Sequence, residues 1–321
     1  MKIVFLSFPH THPVHLEWAK SVADEIILLK AFDSPILSTL SNFFVLPKIP
    51  KADVYLTENL LQATWLQITG RKRFYNSKVI TINADPFFYN PSKIRLQLVK
   101  YVDGIISCSY YIQNLAKKFT KVPNEVVYPF ANTEKFLPLN PDLDSHNIIF
   151  VSNLVPQRRI WEKGVDLLLQ AFRLIKKRYP DANLYLVGKG TEQFAGKDGI
   201  HGLGFRSDFR DVLERCSIYV NSARIEPFGV NIIEDMCAGL VPVISEGCGA
   251  KEVVSEVNSS LVTNDIARRV IEIFKLPRSQ KKKISEKAKE IGSRFTRSRS
   301  VNEFKQAFSR IIEKVLKDAN R

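Results

Sequence analysis

Apolar residues fall along this chain in short unbroken runs, separated by stretches where they recur every three or four positions. Residues 2–8 carry Ile3, Val4, Phe5 and Leu6 in a row and predict a strand that stops at Pro9, and residues 15–29 predict a helix. Further strand patterns cover 53–57, 78–83, 104–107 and 125–128, with helical patterns between several of them. Residues 137–147, with two prolines and several turn formers, read as a linker. The alternation then restarts, with strands over 147–153, 184–187, 217–220 and 241–245 and helices over 165–179 and 230–238. Val165, Leu168, Leu169, Phe172 and Ile175 share one helix face, and Pro180 ends that helix. The last segment is amphipathic: Val301, Phe304, Phe308, Ile311 and Val315 form one stripe, and Lys305, Arg310, Lys314 and Lys317 lie on other faces. Strands alternating with helices in two halves of similar size predict an α/β protein with parallel sheets.

A length of 321 residues exceeds the usual domain of about 100–200 and agrees with two halves. Hydrophobic and charged contents of 45% and 25% exclude a disordered chain and a disulfide scaffold. No apolar run approaches the roughly 20 residues that span a bilayer. The first residues lack a long apolar core and a small-residue cleavage site, so no signal peptide is expected and the cytosol is the expected compartment. Cys108, Cys216, Cys237 and Cys248 form no CxxC pair, which leaves most of them as small buried hydrophobes. The net charge of +14 is uneven: basic and acidic residues number 16 and 10 over 1–140, 14 and 16 over 141–264, and 17 and 7 over 265–321. Such a basic tail attracts lipid headgroups, nucleic acid or phosphorylated substrates, or forms a solvated helical face.

Three segments carry candidate chemistry. In 226–254, Glu226 precedes Pro227-Phe228-Gly229 and a helix. Gly229 lets a ligand approach the backbone, and the amides of Phe228, Gly229 and Val230 at a helix start suit a diphosphate. Glu234 follows one turn into the helix, and a carboxylate there can accept bonds from both hydroxyls of a diol such as ribose. Helix-dipole complementation by Glu226 and an ion pair for Glu234 are the structural alternatives. In 151–166, Arg158, Arg159 and Lys163 follow a strand and precede a helix, where they can neutralise a leaving diphosphate or form a solvated basic loop. The third is Gly188-Lys189-Gly190, which is not a GxGxxG fingerprint because Gln193 holds the last glycine position. Downstream, 201–206 reads as a glycine-containing loop that lines a base pocket or simply turns.

Taken together, residues 147–254 resemble the C-terminal domain of the family 4 retaining glycosyltransferases, which have the GT-B fold. Lys163-Gly164 matches the family's diphosphate-contacting Lys-Gly, and Glu226, Phe228, Gly229 and Glu234 match its E-x-F-G-x-x-x-x-E signature. The resemblance implies two Rossmann-like domains facing a cleft, over 1–140 and 141–300, with the helix of 301–321 crossing back onto the first. It implies transfer of a hexosyl group from a nucleotide-diphosphate sugar (UDP or GDP) to an acceptor hydroxyl with retention of configuration. Glu226 would face the sugar and Glu234 the ribose. Backbone amides after Phe228 would serve sugar and phosphate, and Phe205 and Arg206 would lie near the base. Neither metal nor other cofactor is expected, since cationic side chains and a helix dipole serve the diphosphate. Residues 101–119 and 126–138 resemble the end of the family's first domain and its linker.

Two departures stand out. The family's early phosphate-loop Arg is replaced by Asn153, which leaves Arg158 or Arg159 to take its place. The loop after the first strand is PHTHPVH in place of the family's Gly-Gly, and Asn83-Ala84-Asp85 stands where a His is frequent. His10, His12 and Asp85 are thus the acceptor-side candidates. His10, His12 and His15 also make an H-x-H-x-x-H pattern, which opens a metal site, lines an acceptor or phosphate cleft, or merely shapes a loop. The apolar stretch 35–48 and the basic-aromatic patches 71–75 and 93–95 suit docking on anionic lipid, or else pack inside. A glycan or lipid-linked acceptor is the expected partner, and nucleic acid is not. A sugar-nucleotide epimerase and a basic nucleic-acid-binding protein remain as alternatives; a dinucleotide dehydrogenase is disfavoured because no glycine fingerprint follows the first strand.

Overall fold

The computed structural model describes residues 1–7, 11–29, 49–68, 70, 76–196 and 198–319. They form two compact units, Met1–Pro129 together with Ser298–Arg321, and Phe130–Arg297.

In the first unit the chain runs through β1 (Ile3–Ser7), α1 (Pro13–Lys20), β2 (Glu25–Leu28), β3 (Val54–Thr57), α2 (Leu60–Ile68), β4 (Lys78–Asn83), β5 (Gly104–Ser107), α3 (Tyr110–Lys117) and β6 (Asn124–Val126). Its strands are all parallel, in the order β2-β1-β3-β4-β5-β6. β1, β3 and β5 are buried along their whole length, which is why they read as unbroken apolar runs and not as alternations. The helix expected over 15–29 ends at Lys20, and its second half is the edge strand β2. Trp18, Val22 and Ile26 keep helical spacing, but Ile26 and Ile27 are β-branched and the edge of β1 recruits them. Ile3 N donates to Asp24 Oδ2 at 2.7 Å and Asp24 N to Ile3 O at 2.9 Å, which sets the register.

The second unit contains β7 (Asn147–Val151), α4 (Arg158–Glu162), α5 (Val165–Arg178), β8 (Asn183–Val187), β9 (Ile200–Gly202), β10 (Ile218–Asn221), α6 (Val230–Ala238), β11 (Val241–Ile244), α7 (Lys251–Val257), α8 (Ile266–Phe274) and α9 (Arg278–Gly292). The sheet is parallel, in the order β11-β10-β7-β8-β9. Residues 201–206, read as a glycine-containing loop, begin within the short edge strand β9, which pairs with Leu184–Leu186 of β8 through three residues. Residues 137–147 fall within this unit, and the chain passes between units after Pro129 and again after Arg297.

The last helix, α10 (Arg297–Ala319), joins the first unit from Ser298 onward. Its stripe of Phe304, Phe308, Ile311 and Val315 is buried. The Trp18 ring stacks on Phe304 with centroids 5.1 Å apart, and its indole N–H donates to Ser300 Oγ at 2.9 Å. Ser300 Oγ in turn donates to Tyr128 O at 2.7 Å. Gly104 gives the helix room, because a Cβ there would collide with Ile311 Cγ2. Arg310 and Lys314 pair with Glu125 at 3.1 and 2.7 Å.

Candidate active site

The basic loop after β7 and the loop after β10 are locked together by backbone. Gly164 has φ +64°, and a Cβ on it would collide with Ser222 O, so only glycine allows this approach. Ser222 Oγ donates to Gly164 O at 2.9 Å, and Arg224 N and Ile225 N both donate to Glu162 O at 2.9 and 3.2 Å. The Arg224 guanidinium lies over the Trp161 ring, 5.0 Å from its centroid, and forks onto Asp166 with two bonds of 2.7 Å. Those bonds hold the Asp166 carboxyl below the usual carboxylate range. The result is a direct contact between Lys163 Nζ and Glu226 Oε2 at 2.5 Å, with side chains only 8% and 14% exposed. Lys163 and Glu226, to which the resemblance gives the diphosphate and the donor sugar, thus pair with each other.

Glu226 is anchored on both sides by main chain, its N–H donating to Gly247 O at 2.9 Å and its C=O accepting from Gly249 N at 2.8 Å. Phe228 is buried, with its ring 6.0 Å from that of Phe295, so its side chain serves the core and its main chain is what remains for a ligand. Gly229, with φ +90°, caps α6 in the left-handed region, and Val230 is the first helical residue. Glu234 is half-buried one turn later, and its Oε1 accepts from Asn132 N at 3.4 Å. Burial pushes its carboxyl up, against the bond from Asn132.

The arginines differ. Arg159 Nε donates to Asn153 O at 2.8 Å, and Asn153 Oδ1 accepts from Lys189 N at 2.9 Å, so Arg159 and Asn153 meet at the mouth of β7 and β8. Arg158 is 75% exposed and faces Glu162 at 3.8 Å. Phe205 is 64% exposed, with the Lys189 ammonium 5.6 Å from its ring centroid, and Arg206 pairs with Asp211 at 3.4 Å.

In the first unit, Thr11, His12, His15 and Glu58 gather where β1 and β3 end. Thr11 Oγ1 donates to Glu58 Oε2 at 2.6 Å, and His15 Nδ1 lies 2.9 Å from Glu58 Oε1. The Asp85 carboxylate accepts from Phe87 N at 2.8 Å, an Asx-type turn. His10, the apolar stretch 35–48 and the patch 71–75 lie outside the described residues. Among the described residues no three or more His, Cys, Asp and Glu side chains are grouped to hold a metal ion, and no helix is long and apolar enough to cross a membrane.

Sequence reasoning missed Glu58, Asp166, Arg224 and Asp235. The first three lie 43 to 58 residues from their partners, so no local pattern marks them. Asp235, next to Glu234, is 1% exposed, and among the described residues neither of its carboxyl oxygens has a hydrogen-bond partner. Burial pushes it well above the ordinary value, helped by the charge of Glu234.

This arrangement in the second unit coincides with a family match. Residues 145–275 match the family described as Glycosyl transferases group 1. The two parallel-sheet, Rossmann-like units with a returning C-terminal helix have the fold of the GT-B glycosyltransferases. The structure of Anabaena Alr3699/HepE in complex with UDP-glucose superposes with a TM-score of 0.73 at 17% identity, over 96% of this chain and 99% of that one. The chain is 25% identical over 277 residues to the N,N'-diacetylbacillosaminyl-diphospho-undecaprenol alpha-1,3-N-acetylgalactosaminyltransferase of Campylobacter jejuni, covering 76% of this chain and 70% of that relative. It is 28% identical over 149 residues to the Phosphatidylinositol N-acetylglucosaminyltransferase gpi3 subunit of Schizosaccharomyces pombe, which is 43% of this chain and 31% of the relative.

Proposed function

We propose that the protein is a retaining, family 4-like glycosyltransferase that moves a hexosyl group from a UDP-sugar to a hydroxyl of a lipid-linked acceptor. The observation that carries this reading is the Lys163–Glu226 contact beside the Gly229-Val230 helix start, with Glu234 one turn beyond. A diphosphate offers Lys163 a second anionic partner. As the ammonium turns to it, Glu226 is freed to accept bonds from sugar hydroxyls. The leaving diphosphate is then stabilised by Lys163, by Arg159 beside Asn153, and by the main-chain amides at the start of α6. The bond from the anomeric carbon to the diphosphate oxygen breaks as the acceptor oxygen bonds to the same carbon, and a phosphate oxygen takes the acceptor proton. Glu234 holds the ribose diol, and Phe205 and Arg206 lie by the base.

UDP is preferred over GDP because the structural relative was seen with UDP-glucose. A lipid acceptor is preferred because the names of both sequence relatives carry one, diphospho-undecaprenol and phosphatidylinositol. A membrane-linked acceptor supports a cytoplasmic enzyme, peripheral on the inner membrane face. Calorimetry with UDP, GDP, ADP and their sugar conjugates tests the donor half. Micromolar binding of a uridine nucleotide, lost in Glu234→Ala, supports it; no binding to a folded sample overturns it. Transfer of labelled sugar to polyprenyl-diphosphate-linked N-acetylglucosamine tests the acceptor half.

A further inference from the structure

We infer that the buried Tyr219 hydroxyl, gripped by Asn221 and Asn231, is the positioning hub of the candidate site, the point at which the segments that lead to Lys163, Glu226 and Glu234 are held together. What it positions rests on the glycosyltransferase reading; the hub itself does not.

Tyr219 and Asn221 are two apart on β10, so they project from the same face of the sheet. Asn231, the second residue of α6, reaches them there. Its Nδ2 donates to Val151 O at 2.6 Å and to the Tyr219 hydroxyl at 2.9 Å, and Asn221 Nδ2 donates to the same hydroxyl at 3.2 Å. Both amides have partners that permit one orientation. A carbonyl only accepts, so Asn231 turns its NH2 to Val151. A main-chain N–H only donates, so Asn221 turns its Oδ1 to Ala223 N at 3.1 Å. Two N–H groups thus fill the acceptor positions of one phenol oxygen. Tyr219 is 0% and Asn221 1% exposed, so water has no easy way to replace that oxygen. Burial also pushes the phenol well above its ordinary pKa, so the hub keeps its proton and carries no charge.

Each arm of the network is the root of a site segment. Val151 ends β7 and opens the loop that leads to Lys163. Asn221 ends β10 and opens the loop that leads to Glu226. Its main-chain O accepts from Ser245 N at 2.8 Å and its Oδ1 from Cys248 Sγ at 3.4 Å, on either side of Gly247, whose carbonyl holds Glu226 N. Asn231 lies in the first turn of α6, three residues before Glu234. One hydroxyl therefore sets the spacing of three segments that otherwise belong to different strands and a helix.

Two variants break the hub with little change in volume. Tyr219→Phe removes only the oxygen, and Asn231→Leu removes both bonds of that amide. In transfer of labelled sugar from the UDP-sugar that the parent turns over, each is expected to lower kcat at least tenfold with the donor KM within threefold. A misplaced Lys163 and Glu226 matter most where charge develops on the leaving diphosphate. A smaller fall in kcat in either variant, or a loss carried by KM, overturns the positioning role. Amide hydrogen exchange reads the hub without substrate. The amides of Ala223, Arg224 and Glu226 should exchange at least tenfold faster in both variants, while those of Leu184 and Gly188, bonded elsewhere in the same unit, stay within twofold. Unchanged exchange in the loop, or an equal rise at all five amides, overturns the hub. If the parent neither binds UDP nor transfers sugar, the functional reading fails and the exchange rates alone decide the hub.

Discussion

Arg224 holds Asp166 with two guanidinium nitrogens, each 2.7 Å from a carboxylate oxygen, across 58 residues of sequence. The pair ties the loop that carries Glu226 to the first turn of the helix that follows Lys163-Gly164. Neither residue belongs to the signature, yet together they join the two segments that carry Lys163 and Glu226.

Arg224→Lys keeps the charge but loses the planar fork and the stacking on Trp161. The expected result is a fall of about tenfold in kcat/KM for the sugar donor. The far-UV spectrum should not change. Because the two residues act as one unit, combining it with Asp166→Asn should cost no more than either change alone. Steady-state kinetics on the two single variants and the double variant check this, and additive losses would show that the residues act separately.

Lys163→Met leaves the Glu226 carboxylate buried without its partner. Breaking a buried pair in this way costs about 3–5 kcal/mol. Adding Glu226→Gln removes the stranded charge and should recover most of that loss, without restoring transfer. Urea unfolding of the single and double variants separates the two effects. A single variant as stable as the parent would mean that water or a neighbour replaces the ammonium.

Asp235 should make the protein less stable as pH rises. Its folded pKa lies well above the ordinary value, so the folded state keeps a proton that the unfolded state has already released. The favourable contribution is fully present below about pH 4, the unfolded carboxyl value, and is lost as pH rises towards the folded one. The slope in that window is about 1.4 kcal/mol per pH unit. Asp235→Ala lacks this titration. Its Tm relative to the parent should therefore be higher at pH 8 than at pH 5. Differential scanning at the two pH values checks the sign, and an equal difference at both would place the carboxyl in contact with water.

Phe304→Ala should destabilise the first unit by about 3–5 kcal/mol, since it removes the ring that Trp18 stacks on. Tryptophan fluorescence during urea unfolding, in a background with Trp65 and Trp161 replaced by Phe, reads this change through Trp18.

Much of this molecule was legible in the chain because its sheets are parallel. A strand buried on both faces must be apolar throughout, and Ile3–Ser7 and Gly104–Ser107 announce themselves in that way. Two glycines of the candidate site were legible for a related reason: Gly164 and Gly229 sit at backbone conformations that glycine tolerates and other residues resist. Glu25–Leu28 was misread because two isoleucines fit either period, and only the neighbouring strand decides. Glu58 and Arg224 were silent because their partners are distant in sequence. Asp235 was silent for another reason: a carboxylate beside a second carboxylate looks like surface, and only packing shows it buried.

The return of α10 to the first unit has a consequence for synthesis. Trp18 leaves the ribosome early, but its partner Ser300 lies 282 residues later. The unit that begins first is therefore completed last, whereas Phe130–Arg297 is contiguous and has all its strands before α10 emerges. On a stalled ribosome that has released the chain only through Arg297, the second sheet should resist protease while Trp18 waits exposed, a natural client for a chaperone. The birth order of the two halves is thus the reverse of their order in the gene.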